Sequence, residues 1–233
     1  MLSVAGFKKA FAYMDLFWQG AACTVSLSAL TVIIGFILAM TLALCRMGKN
    51  RVLKAIATAY VEFFRATPML VQICLIYYVV FAGVKVLPGF KLYGFIRFDR
   101  FFPGVVALSL NSGAYLSEII RSGIQSIDGG QTEAARSLGM SSWRTMRLIV
   151  LPQAIKNILP AIANEFVTII KESAICYTIG VQDIMSAVHS VKGATYSIGE
   201  ALIIATVMYF CLTFPTSKII EHFERKMSRG DKR

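Results

Sequence analysis

The chain is short of charge. Only 16% of its 233 residues are Asp, Glu, Lys or Arg, where soluble domains carry about 25%. Acid is scarcer than base, with 13 Asp and Glu against 24 Lys and Arg and a net charge of +11. Histidine is almost missing. His189 and His222 stand far apart, which leaves little material for a histidine-based metal site. The five cysteines, Cys23, Cys45, Cys74, Cys176 and Cys211, lie in apolar segments without C-x-x-C spacing. They read as small buried hydrophobes, neither a disulfide framework nor a zinc site. No G-x-x-x-x-G-K-[ST] occurs, and Gly48-Lys49-Asn50 ends in the wrong residue, so a nucleotide-phosphate cradle is excluded. The lack of H-E-x-x-H and of any partner near either histidine counts against an intramembrane enzyme. No internal repeat is evident, and such repeats are the usual mark of a gradient-driven transporter.

Apolar sequence is what remains. Hydrophobic residues make up 56%, and the mean hydropathy is +0.64. A helix needs roughly 20 mostly apolar residues to cross a bilayer, and five runs qualify as expected spans: about 17–44, 56–81, 103–120, 158–179 and 201–220. The first is too long for a signal-peptide core and reads as a retained helix. It carries Gly20, Gly35 and the series Thr24, Ser26, Ser28, Thr31, small residues that let membrane helices approach closely. Pro68 is expected to kink the second run, and Pro103 suits the start of the third. The fold class is thus all-α, a single membrane domain over 1–233.

The basic residues sit at the edges of these runs, not on one soluble face, which excludes nucleic acid as the partner and points to the bilayer. With five spans, the loop near 45–56, the loop near 121–156 and the C-terminal tail share one side. That side holds about 15 of the 24 Lys and Arg, against about 7 opposite. The positive-inside rule puts the first group in the cytoplasm. The N-terminus is then outside and the C-terminus inside.

The segment of about 122–156 is the longest hydrophilic stretch. Glu133 to Leu138 favours helix, Gly139 is suited to a left-handed cap, and Ser141 or Ser142 can cap a further helix near Trp143. Ala134 and Ala135 give that hairpin a small-residue face on which another protein can pack. Arg136, Arg144 and Arg147 can pair with acidic groups of that partner.

The intramembrane charges are functional candidates by default. Glu165, Thr168 and Glu172 follow at i, i+3 and i+7 and share a helix face, with Asn164 and Lys171 in an adjacent stripe. Such a stripe can line a cavity for a zwitterion, or pair with other helices. Glu62 with Arg65, and Glu118 with Arg121, are spaced i, i+3. They read as ion pairs that register helices or form an inner gate. Asn111, Ser112 and Gly113 can line a pathway or permit close packing. Tyr77 and Tyr78 are candidates for its outer walls.

One spacing carries a resemblance. Glu133-Ala134-Ala135, three residues, Gly139, nine residues, Ile149, one residue, Leu151-Pro152 resembles the EAA motif of bacterial ABC importer permeases. Three further stretches are similar to polar amino acid permeases of the glutamine/histidine/arginine type. They are Trp18-Gln19-Gly20 with Thr24 to Ser28, Glu62 to Gln72, and Ala114-Tyr115 with Ser117 to Ile127. The segments Asn164-Glu165-Phe166 and Lys171-Glu172-Ser173 align with that family's fourth helix. Asp128-Gly129 and Lys171 to Ala174 depart from its usual residues.

The resemblance implies the type I importer fold, with the loop at 122–156 acting as the coupling helix in a groove of an ATPase subunit. Glu133, Ala134, Ala135, Arg136, Leu138 and Gly139 fall in that element. It implies substrate contact at Asn164, Glu165, Thr168, Lys171 and Glu172. It also implies a second permease chain, identical or homologous, two ATP-binding cassette subunits and an extracytoplasmic amino acid binding protein. No cofactor is expected in this chain, since ATP would be bound by the partner subunits. The acidic pair and single lysine of the fourth helix lean toward a cationic or neutral polar amino acid.

Overall fold

The computed structural model describes residues 2–81 and 87–228. Arg229, Lys232 and Arg233 of the expected basic tail lie outside the described residues. The described chain is mostly helical, with one two-stranded hairpin, Lys91–Leu92 (β1) with Ile96–Arg97 (β2). In order the helices are α1 (Val4–Phe11), α2 (Met14–Met47), α3 (Arg51–Ala66), α4 (Met69–Cys74), α5 (Phe98–Gln125), α6 (Gly129–Ser137), α7 (Ser142–Thr145), α8 (Leu151–Glu172), α9 (Ile184–Thr195) and α10 (Ile198–Ser228). π-Helical turns extend α4 to Phe81 and join α7 to α8. A 3₁₀ segment, Ser173–Ile179, follows α8.

Three helical runs among the described residues are long and apolar enough to cross a membrane: α2, the run Ser142–Ile179, and Ile198–Lys226. They contain the expected first, fourth and fifth spans. The fourth starts well before the expected 158, because the hairpin's second helix, α7, runs on through the π-turn into α8.

The second expected span is not a kinked rod. Arg51–Ala66 and Met69–Phe81 meet at an angle of 109°. Pro68 forces its predecessor out of the helical region, and Thr67 sits at φ −107°, ψ 145°. Gln72 then holds the corner. Its amide donates to the carbonyls of Phe64 at 2.8 Å and Thr67 at 3.0 Å, which α3 leaves open at its end. Asn111 of α5 donates to Gln72 Oε1 at 2.8 Å.

The third expected span, α5, is 28 residues long, about 42 Å at 1.5 Å per residue. It is too polar to pass on composition, and its position explains this. α5 lies along α2 and also contacts α3, α4 and α8. Its Ser109, Asn111, Ser112 and Ser117 are buried against protein. The face of α2 toward the bundle carries Gly20, Thr24, Ser28, Thr31 and Gly35, all buried, so the small-residue series does permit close approach. Ser26 falls off that face. At the far end, the Ser3 amide donates to Glu200 Oε1 at 2.9 Å and ties α1 to α10.

Candidate functional site

The hairpin at 129–145 is built from local signals. Asp128 caps α6, its Oδ1 accepting from the Gly130 amide at 2.7 Å. The helix ends in a Schellman motif: the Gly139 amide donates to the Arg136 carbonyl at 3.0 Å, and the Met140 amide to the Ala135 carbonyl at 3.1 Å. Both bonds need a left-handed residue at the turn, and Gly139 sits at φ +82°. Ser141 caps α7 by accepting from the Arg144 amide.

Glu133, Ala134, Arg136, Leu138 and Gly139 are exposed, while Ala135 turns inward. The small-residue face is therefore shared between two surfaces. Arg136 donates to the Met140 carbonyl at 2.7 Å and so braces the turn as well as facing solvent. Leu138 is 84% exposed and Trp143 68%. A large leucine and tryptophan standing free at a capped turn, with Arg144 and Arg147 exposed beside them, form a surface shaped for a protein partner.

The second cluster lies on α8, the same helical run. Asn164 and Lys171 are exposed, Glu165, Thr168 and Glu172 half-buried. Thr168 Oγ1 donates to the Asn164 carbonyl at 3.2 Å. Glu165 faces Ser112 of α5, and Glu172 has the Lys171 cation as a charged neighbour. An exposed lysine and asparagine on a membrane-crossing run are costly against lipid. They need water or another chain in front of them.

The i, i+3 pairs differ. Glu118 is ion-paired to Arg121, and also to Arg46 at the end of α2, at 2.6 Å. Glu62 is exposed, and Arg65 lies 5.6 Å from the ring centre of Tyr115. Asn111 serves the α3–α4 corner. Tyr77 is buried with Arg100 4.8 Å over its ring, and Tyr78 is exposed.

Sequence reasoning missed Arg46, Gln72 and Asp183. Arg46 stood in a row of loop cations with nothing to single it out. Gln72 had a local signal, a polar residue just past a proline in an apolar run. Asp183 is buried and caps α9, accepting from the Ser186 amide at 2.8 Å; an Asp before an apolar run is a cap signal.

Membrane-crossing helices, a capped hairpin exposed at one end, and a polar stripe on the run that continues it are the parts of a transporter permease. The chain belongs to the family of binding-protein-dependent transport system inner membrane components, which it matches over residues 12–229. It is 43% identical over 213 residues to the arginine transport system permease protein ArtQ of Bacillus subtilis, covering 91% of this chain and 93% of that one. It is 41% identical over 197 residues to the nopaline transport system permease protein NocM of Agrobacterium fabrum, covering 84% and 81%. A crystal structure of an amino acid ABC transporter with histidines superimposes with TM-score 0.87 at 41% identity, over 97% of this chain and 100% of that one. The fold extends to the inward-facing methionine transporter MetNI, at TM-score 0.66 and 16% identity over 90% and 96%. The chain is an ABC importer permease, a multi-pass membrane protein of the type I fold.

Proposed function

We propose that this chain forms the translocation pathway of an ATP-driven importer for polar amino acids and couples it to ATPase subunits, without catalysing any reaction itself. The observation that carries this reading is the continuity of Ser142–Ile179. One helical run joins the exposed hairpin to the stripe at 164–172. The 22 residue steps from Ser142 to Asn164 amount to about 33 Å at 1.5 Å per residue. A push on the hairpin is thereby delivered to the stripe by a single rod. ATP closes a pair of cassette subunits, the hairpins move, and the stripe alternates between two sides of the membrane.

The stripe suits an amino acid. Glu165 and Glu172 offer carboxylates to an ammonium, and Lys171 and Asn164 offer donors to a carboxylate. The two acids lean the pathway toward cationic or neutral polar side chains. Arginine in one relative's name supports that lean. Exposure of Asn164 and Lys171 supports a second permease chain, identical or homologous, closing the pathway. A binding protein outside would deliver the ligand. With α5 and the bent α3–α4 pair each counted as a crossing beside the three apolar runs, the basic loops support a cytoplasmic hairpin and C-terminus and an outer N-terminus.

The test is to purify the chain with its ATPase and binding-protein partners and follow ATP hydrolysis in lipid. Hydrolysis should rise with one liganded binding protein, and Gly139→Asp should abolish that rise while the assembly stays intact. Uptake that survives ATP depletion with the ion gradient clamped would overturn the proposal in favour of gradient-driven transport.

A further inference from the structure

A cavity of about 480 Å³ opens at the hairpin end of the bundle, lined by Arg46, Met47, Lys54, Thr58, Arg121 and Gln125. Its residues come from α2, α3 and α5. Three cations face it, and the acid beside them is Glu118, already shared between Arg46 and Arg121. The cavity is left with an excess of positive charge. The guanidinium of Arg46 is largely enclosed, its side chain 12% exposed, so it is fixed in place and not free to swing into solvent. Arg121 is held from both ends, by Glu118 and by Gln125 Oε1. Fixed guanidinium forks with spare N–H groups suit a phosphate oxygen. Lys54 adds a mobile point charge and Thr58 a hydroxyl.

The surface next to this cavity is apolar. Met47 lines it and also ends a row of exposed residues on α2: Ile37, Met40, Leu44 and Met47. Their spacing of three, four and three puts them on one helix face, running from the cavity along the membrane-crossing helix. A free anion would use the cations and leave this row idle. A phosphodiester carrying acyl chains would use both.

We propose that the cavity is a binding site for the headgroup of an anionic phospholipid whose chains lie along Ile37, Met40, Leu44 and Met47. Basic pockets between membrane helices on the cytoplasmic side take such headgroups. The lipid lies at the junction of α2, α3 and α5, the ends that Glu118 draws together, and next to the segment leading into the hairpin. Occupancy would stiffen this junction by offsetting the repulsion among its cations.

The test uses the intact transporter in nanodiscs containing phosphatidylglycerol and phosphatidylcholine, released into native mass spectrometry. Wild type should retain phosphatidylglycerol in preference to phosphatidylcholine. Lys54→Gln should weaken that retention by about fivefold, the worth of one near-surface cation, and Lys54→Arg should restore it. Met47→Glu, which sets a carboxylate at the cavity mouth, should weaken it as well. Equal retention of the two lipids, or retention unmoved by Lys54→Gln, would overturn the proposal. Inorganic phosphate that displaces phosphatidylglycerol at matched ionic strength would reassign the cavity to a free anion and also overturn it. Lipid retention does not involve transport, so failure here leaves the proposed import function standing.

Discussion

Arg46 and Glu118, 72 residues apart in the chain, meet at 2.6 Å where α2 and α5 end. Arg121 closes on the same carboxylate from one turn away. One acid thus holds two guanidinium groups, and it does so at the base of the segment that leads into the hairpin. The side chains of Arg46 and Glu118 are 12% and 22% exposed. A partly enclosed ion pair of this kind costs more to break on one side than it contributes whole.

Glu118→Ala should therefore destabilise the protein by about 1–3 kcal/mol, because Arg46 is left enclosed without its partner. Thermal unfolding in nanodiscs checks it. The double change Arg46→Met with Glu118→Leu should recover much of the loss, since no uncompensated charge remains. Equal destabilisation by the single and double variants would show that the pair is not what holds the helix ends.

Gly139→Val should leave the spans folded but disorder the hairpin turn. A β-branched residue at φ +82° costs about 1–2 kcal/mol of left-handed strain, and it opposes the two amide bonds of the Schellman motif. Stimulation of ATP hydrolysis by the liganded binding protein should fall, with basal hydrolysis little changed. Normal stimulation in this variant would separate the turn from coupling.

The hairpin was legible in the sequence because its signals are local. Gly139 and Ser141 each act within four residues of themselves, and the structure uses both; Asp128, which caps α6, was read only as a departure from the family's residues. The α2, α8 and α10 runs were legible because composition alone marks a membrane span. What local signals cannot show is which polar residues meet across helices. Pro68 announced a disturbance but not its 109° size, which depends on Gln72 and Asn111 stabilising a bare helix end. Arg46 looked like any loop cation until α5 brought Glu118 to it. The run at 103–120 read as a span, but no local signal showed that its Ser109, Asn111, Ser112 and Ser117 would be buried against other helices.

Lys171 stands exposed on α8 with Glu172 as its neighbouring acid. If it receives a carboxylate from the transported molecule, Lys171→Met should raise the KM for uptake roughly tenfold or more, from a charged hydrogen bond worth about 1.5–3 kcal/mol. The unfolding temperature should barely move, because the ammonium lies on the surface of the single chain. A lower unfolding temperature with unchanged KM would make Lys171 a contact to the second permease chain.

Gly20 tests the packing beneath all of this. A Cβ placed there would lie 2.7 Å from the carbonyl oxygen of Asp183 and 2.8 Å from both its carbonyl carbon and the Ile184 nitrogen. These are backbone atoms, so no side-chain rotation relieves the contact, and α2 must part from the start of α9. The site is also where Asp183 caps α9, so the displacement would strain the part-buried bond from the Ser186 amide. Gly20→Ala should cost about 1–3 kcal/mol through overpacking. Gly193, on the exposed side of α9, has no atom within 4 Å of the same added carbon. Gly193→Ala should stabilise by up to about 1 kcal/mol through helix propensity. Unfolding of the two variants side by side separates packing from propensity, since the same methyl group is added to a helical glycine in each. Equal shifts would mean that α2 and α9 are free to separate, and that the close approach at Gly20 does not hold them together.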